Sequence, residues 1–239
     1  MSEQPDTTTP TRVLILGIGN VLWADEGFGV RTVEALNARY RFGDNVKLMD
    51  GGTQGIYLIQ HVQEADILLV FDAIDYGLAP GTMKLIKDDQ VPAFMGAKKM
   101  SLHQTGFQEV LSTSMLTGHY PQHLLLVGVQ PVELEDYGGS LREPVKAQIG
   151  PAIDAALSWL AEFGIHAEER SEPLSPDEAI SAPQIALDEY ETGRPDETVA
   201  CRLGDDRVLA DEAFAFDPKP SLLGEDGLSV NVDNRKPGL

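Results

Sequence analysis

The chain has 239 residues and a formal net charge of -20, with 38 acidic against 18 basic residues. This acidic balance argues against binding to nucleic acid or to an anionic membrane surface. The single cysteine, Cys201, excludes a disulfide within the chain and fits a reducing compartment, so we expect a cytoplasmic protein.

Residues 1–11 are polar, with two prolines and three consecutive threonines, so we expect a disordered N-terminal lead. They lack the basic and apolar regions of a signal peptide. The sequence contains no run of about eighteen apolar residues, so we expect no transmembrane segment. The length fits one domain, expected at residues 12–165, followed by a C-terminal extension.

The apolar run VLIL at residues 13–16 predicts a buried strand that ends at a glycine turn. Asp25 and Glu26 then open an amphipathic helix. A dinucleotide site begins in the same way, but Leu22 occupies the position of the third glycine in that fingerprint. The two acids would repel phosphate, so they either complement the helix dipole or favour a cation.

Further along, strands alternate with helices, as in an α/β sheet with helices on both faces. The strongest strand is ILLVF at residues 67–71, apolar on both sides like a central parallel strand. The other predicted elements are strands at 46–49, 82–86 and 123–129, and helices at 55–64, from 107 onward, and at 144–163. Residues 88–101 look irregular, and residues 101–106 are expected to form a loop before the next helix.

The composition changes after Gly164. Residues 166–239 hold 7 of the 15 prolines and carry 18 acidic against 7 basic residues, a net charge of -11. We therefore expect an acidic, mostly disordered tail that is dispensable for folding and for the chemistry. One small hairpin, pairing residues 198–203 with residues 207–209, is expected within it.

Three polar side chains follow predicted strands. Glu26 follows the first strand, Asp72 ends the central strand, and His103 lies in the loop before the next helix. Because parallel strands end at one edge of a sheet, these side chains can converge there. Two carboxylates and an imidazole suit a borderline divalent cation such as nickel or zinc and leave coordination positions open. Taken singly, His103 fits a structural histidine better than a metal ligand, and Asp72 fits a cap for the following turn.

Six segments, in this order, resemble the hydrogenase maturation endopeptidases of the branch that serves uptake-type nickel–iron hydrogenases. They are G-I-G-N-x-L-x-x-D-E-G-x-G-V (17–30), D-G-G-T-x-G (50–55), D-A-I-D (72–75), A-P-G-T (79–82), S-L-H-Q-T-G (101–106) and L-L-L-V-G-V-Q-P (124–131). The resemblance covers residues 12–165. It implies a three-layer α/β/α fold with a five-stranded, mostly parallel sheet. It also implies removal of a short C-terminal peptide from the hydrogenase large-subunit precursor after nickel insertion.

In that family the corresponding Glu, Asp and His bind metal, so the resemblance implies Glu26, Asp72 and His103 as ligands. The metal is the nickel held by the precursor, so the isolated peptidase can be metal-free. Asp50 is a fourth candidate, either for positioning substrate or as a turn residue before two glycines. We expect a monomer whose partner is the precursor.

The mechanism stays open at this point. No serine or cysteine nucleophile motif is present, so hydrolysis by water with Asp72 or Asp50 as general base is the simplest scheme for an aspartyl-type endopeptidase. Nickel acts either as a Lewis acid on the scissile carbonyl or only as a sign of a completed site. The alternative functions are a non-catalytic chaperone for the nickel-loaded precursor and a free-standing metallo-hydrolase.

Overall fold

A computed structural model of the protein describes residues 10–95 and 102–194, without the side chains of residues 93–95, 102–105 and 176. The strands are β1 (Val13–Ile18), β2 (Tyr40–Arg41), β3 (Val46–Gly52), β4 (Ile67–Ala73), β5 (Met83–Lys87), β6 (His123–Val129) and β7 (Glu168–Glu169). The α-helices are α1 (Phe28–Arg39), α2 (Ile59–Glu64), α3 (Gln90–Met95), α4 (Leu102–Leu116), α5 (Glu143–Lys146), α6 (Ile149–Ala161) and α7 (Leu187–Thr192). Single 3-10 turns lie at Ala24–Gly27, Gly55–Leu58, Pro176–Glu178 and Pro183–Ile185.

The central sheet has five strands in the order β3-β1-β4-β6-β5. The first four run parallel, and β5 pairs antiparallel with β6 at one edge. The predicted α/β fold with a five-stranded, mostly parallel sheet is therefore confirmed. β4 is buried along its whole length, as a central parallel strand covered by helices on both faces must be.

The sheet separates two apolar clusters. Ile67, Leu69 and Phe71 of β4 pack on one face with residues of α1 and α6, which we call the α1 face. Leu68 and Val70 pack on the other with residues of α2 and α4, which we call the α4 face. Because successive strand residues point to opposite sides, this alternation also assigns the residues at the strand ends to one face or the other.

The start of α1 lies in direct backbone contact with β1 and β4. A Cβ atom at Gly29 would overlap the carbonyl oxygens of Phe71 and Ile18. A Cβ atom at Gly17 would lie 2.6 Å from Val33 Cγ1 and would overlap the Gly29 carbonyl. Both glycines are required because no side chain fits between this helix and these strands.

Several predicted helices and loops differ from the structure. Residues 144–163 form α5 and α6 instead of one helix, because Pro151 has no N–H for the carbonyl of Ala147 and its ring clashes there. The segment 88–101 contains α3, which accepts Pro92 because that residue lies in its first turn. Residues 102–106 belong to α4 and are not a loop.

The C-terminal strap, residues 166–193, packs on the domain, so the expected disorder is wrong for these residues. β7 pairs antiparallel with β2. Arg170 Nε donates to the carbonyl oxygen of Asn37 (2.9 Å), and Asn37 Nδ2 donates to that of Glu178 (2.8 Å). The compact unit continues to Gly193, beyond the expected boundary at residue 165. Polar and backbone groups hold much of the strap, and its low apolar content therefore misled the sequence analysis.

Residues 1–9 and 195–239 lie outside the described residues, and so do Cys201 and the expected hairpin. Their disorder and dispensability stay predictions. Within residues 10–95 and 102–194, no helix is long and apolar enough to cross a membrane.

We predict that Gly29→Ala lowers the free energy of unfolding by about 3 kcal/mol, because a methyl group cannot fit beside the carbonyls of Phe71 and Ile18. The matched control is Gly150→Ala in α6, where a Cβ atom meets no heavy atom within 4 Å outside the two adjacent residues. The control should stay within about 0.5 kcal/mol of wild type, because the restriction of the unfolded chain by alanine is offset by contact of its Cβ with the ring of Pro151. Urea unfolding measures both, and equal stability of the two variants would contradict the close packing.

Candidate active site

Asp50 and Asp72 both lie at the carboxyl edge of the sheet, but on opposite faces. Asp72 continues the alternation of the β4 residues that face α4. Asp50 continues the alternation of Val46 and Leu48, which pack on the α1 face. The sheet therefore does not bring these two candidate catalytic carboxylates together on one side.

Asp72 is 1% exposed and has a tyrosine beside it. Its strand partner is Gly128, and a Cβ atom there would lie 2.8 Å from Tyr76 Cζ and would overlap the Tyr76 hydroxyl. Burial, and secondly the charge of Asp72, raise the pKa of Tyr76, so the phenol stays protonated at neutral pH. This tyrosine is not among the predicted site residues, although it follows the D-A-I-D segment directly.

Glu26 is half-buried on the 3-10 turn Ala24–Gly27, between the end of β1 and the start of α1. A Cβ atom at Gly19 would overlap the Glu26 carbonyl oxygen, and the Gly19 N–H donates to the carbonyl of Gly52 (3.0 Å). Gly19 has φ +133, which side-chain-bearing residues rarely adopt. It therefore lets the turn with Glu26 meet the ends of β1 and β3.

His103 lies in the first turn of α4, and its side chain is outside the described part. Close to this turn, a Cβ atom at Gly106 would lie 3.2 Å from Gly55 Cα, so the start of α4 packs on the segment after β3. Among the described side chains, no three His, Cys, Asp or Glu residues lie close enough to hold a metal ion. The ligand set Glu26, Asp72 and His103 therefore stays a prediction.

Asp50 lies beneath the C-terminal strap. Ser181 Oγ donates to Asp50 Oδ2 at 3.4 Å, and Oδ1 is buried with no hydrogen-bond partner among the described residues. Burial raises the pKa of Asp50, aided by the charge of Glu34 and opposed by hydrogen bonds from the Gly52 backbone and Ser181. These bonds to Ser181 and to the Gly52 backbone fit a carboxylate that holds the D-G-G segment better than one that meets substrate.

Asp25, the neighbour of Glu26, is a fully buried clamp. Its Oδ2 accepts hydrogen bonds from the backbone N–H of Val132 (2.8 Å) and Glu133 (2.9 Å), and its Oδ1 from that of Arg142 (2.7 Å). Bonds from neutral donors to an ionised acceptor are strong, so the loop after β6 is fixed to the turn that carries Glu26. The sequence pattern does not distinguish Asp25 from Glu26, because the burial of Asp25 depends on the fold.

Gln130, which directly follows β6, is a second clamp and is 6% exposed. Its Oε1 accepts hydrogen bonds from the backbone N–H of Tyr76 (2.7 Å) and Leu78 (3.1 Å), and its Nε2 donates to Asp75 Oδ1 (3.0 Å). The segment after Asp72 is thereby fixed to the segment after β6.

The fold and sequence are similar to those of proteins that mature hydrogenases. A family model described as hydrogenase maturation protease matches residues 30–159. This chain belongs to the hydrogenase maturation protease family. Hydrogenase expression/formation protein HupM of Azotobacter chroococcum mcd 1 is 64% identical over 204 residues, which are 85% of this chain and 96% of the relative. Hydrogenase 2 maturation protease of Escherichia coli (strain K12) is 45% identical over 160 residues, 66% of this chain and 96% of that protein.

Among solved structures, hydrogenase maturating endopeptidase HybD from E. coli matches with a TM-score of 0.64 and 44% identity, covering 67% of this chain and 99% of that chain. The resemblance found in the sequence is thus confirmed, and this family member is a hydrolase of peptide bonds. The HupM match of 204 residues is too long to end at residue 165, so it includes part of the C-terminal extension.

We predict that Asp25→Asn lowers the free energy of unfolding by about 2–3 kcal/mol, because an amide cannot accept all three backbone N–H groups. Asp154→Asn, an exposed acid on α6, is the matched control and should change stability by less than about 0.5 kcal/mol. Chemical denaturation measures both. A wild-type stability for the Asp25 variant would show that the buried carboxylate is not a clamp.

We predict that the stability of Asp50→Asn relative to wild type improves as the pH rises. The folded-state pKa of Asp50 lies above its ordinary value of 3.8. The stabilisation that the protonated carboxyl gives the folded state is therefore fully present below pH 3.8. That contribution is lost as the pH rises through the folded-state pKa. Denaturation of both proteins at about pH 4.5 and about pH 8 tests the sign. If the wild type becomes more stable relative to the variant at the higher pH, the result would contradict the burial of this carboxylate.

Proposed function

We propose that this protease removes the C-terminal peptide of a nickel–iron hydrogenase large-subunit precursor after nickel has been inserted. Membership of the family supports the proposal, together with relatives named hydrogenase expression/formation protein and hydrogenase 2 maturation protease. The observation that carries it is the buried Asp72, at the end of β4 on the face that α4 covers. We also propose that the protein acts as a monomer and in the cytoplasm.

The nickel in this proposal is part of the substrate and is bound by Glu26, Asp72 and His103. The donor set suits a borderline divalent cation and leaves positions for ligands that the precursor supplies. A buried carboxylate such as Asp72 gains from a nearby cation, because burial alone disfavours its charge. Glu26 is half-buried on the turn that leads into α1, at the same edge of the sheet.

Asp72 is a better candidate than Asp50 for the general base that activates water. Asp72 lies on the face of α4, whose first turn carries His103, whereas Asp50 lies on the other face, where Ser181 of the strap bonds its Oδ2. Asp50 acts by holding the D-G-G segment, which is the turn role that the sequence left open beside the positioning of substrate.

We predict that purified protein cleaves nickel-loaded precursor and leaves nickel-free precursor intact, because three protein ligands alone do not complete the coordination of the metal. Glu26→Gln, Asp72→Asn and His103→Ala should each slow cleavage by at least about 100-fold, because each removes a ligand or its charge. His119→Ala, an exposed histidine beyond the other end of α4, is the matched control and should cleave at the wild-type rate. Mass spectrometry of the precursor reads out the reaction, and circular dichroism checks the fold.

Equal cleavage of both precursor forms would remove nickel recognition from the proposal. A wild-type protein that binds the precursor tightly and never cleaves it would point to the chaperone instead. Stoichiometric metal in the purified protein would favour a free-standing metallo-hydrolase.

A further inference from the structure

The carboxyl edge of the sheet carries an unusual number of exposed apolar side chains. Nine large apolar residues are exposed in the described part of the chain, and six of them follow β1, β3, β4 or β6. We call these six the apolar rim: Leu22, Ile56, Tyr57, Leu78, Val132 and Tyr137. Because the four strands are parallel, the rim lies at the edge that carries Glu26 and Asp72. Apolar groups gathered at one edge are typical of an interaction surface.

The two buried clamps hold the backbone of the rim. Asp25 binds the N–H of Val132 at 2.8 Å, and Gln130 binds the N–H of Leu78 at 3.1 Å. Two buried polar side chains therefore accept hydrogen bonds from loops that present apolar groups to solvent. A surface fixed in this way loses little conformational entropy when a partner binds.

The loops after β1 and β6 also hold each other. The N–H of Gly138 donates to the carbonyl oxygen of Leu22 at 2.7 Å. The rings of Trp23 and Tyr137 meet edge to face, with centroids 5.3 Å apart. Leu22 and Tyr137 thus form one continuous part of the rim, next to the turn that carries Glu26.

We propose that the apolar rim is the docking surface for the folded part of the hydrogenase precursor that adjoins the scissile peptide bond. The inference rests on the proposed function. It adds the recognition of a folded protein surface to the recognition of nickel. A peptide bond that reaches Glu26 and Asp72 must approach from this edge, so the surrounding surface of its carrier meets the rim.

Charge decides what the docking partner looks like. Glu133 and Glu135 border Val132, and the chain as a whole carries a net charge of -20. A second copy of the chain would be repelled, whereas an apolar patch bordered by basic residues would be attracted. The partner surface is therefore apolar at its centre and basic at its border.

The test compares rim variants with an exposed apolar residue at the opposite edge. Tyr57→Ser and Val132→Ser change side chains that are 82% and 47% exposed. Leu116→Ser is the matched control, because Leu116 is 88% exposed at the end of α4. Its neighbour Thr117 bonds Gln63 just before β4, which places the control at the amino edge of the sheet.

We expect each rim variant to raise KM for the nickel-loaded precursor about tenfold, as the loss of an interface anchor does, with kcat within about twofold of wild type. The melting temperatures should stay unchanged, because both side chains are exposed. Leu116→Ser should match wild type in KM, kcat and melting temperature. These three results together support docking on the rim.

Unchanged KM in both rim variants, with normal cleavage by wild type, would overturn the docking surface and leave the proposed function standing. A loss confined to kcat would assign these residues to the chemistry and also overturn docking. A wild-type dimer that the rim variants dissociate, seen by light scattering, would make the rim a contact between copies. A wild-type protein that neither binds nor cleaves the precursor would overturn the proposed function itself, and the docking inference would fall with it.

Discussion

The close approach of α1 to the ends of β1 and β4 is the constraint on which the site depends. Gly29 touches the carbonyls of Ile18 and Phe71, the residue before Asp72. The turn with Glu26 leads directly into this helix, so the contact sets where Glu26 lies relative to Asp72. Close packing makes the position of Glu26 relative to Asp72 hard to alter, because a single methyl group at Gly29 would push the helix and the strands apart.

Adjacent or similar residues take different roles because the fold gives them different surroundings. Asp25 is fully buried and accepts hydrogen bonds from backbone N–H groups, whereas its neighbour Glu26 is half-buried. Asp50 and Asp72 both end strands, yet period-2 alternation places them on opposite faces. The edge thus combines the structural carboxylate of Asp25, the carboxylate of Asp50 that bonds the strap, and two candidates for chemistry, Glu26 and Asp72.

The strands were predictable because buried parallel strands are short apolar runs, and β6 has the predicted bounds 123–129. The break between α5 and α6 could also have been predicted, since Pro151 stands in the middle of the expected helix. The face on which Asp50 lies depends on how β3 pairs with β1, and no local pattern contains that information. The clamps Asp25 and Gln130 could not be predicted for a similar reason, because their partners are distant in the sequence. The partners of Asp25 lie 107 or more residues away, and Tyr76 and Leu78 lie 54 and 52 residues from Gln130.

The strap has a consequence for the order in which the molecule is made. Arg31 of α1 bonds the carbonyl of Ile185, 154 residues later, and Asn37 bonds that of Glu178, 141 residues later. During synthesis α1 leaves the ribosome long before its strap partners exist, since chains emerge from the N-terminus. A nascent chain can complete its sheet as soon as β6 has emerged, while Asp50 is still uncovered. The hydrogen bond from Ser181 to this carboxylate can therefore form only after all strands of the sheet have been translated.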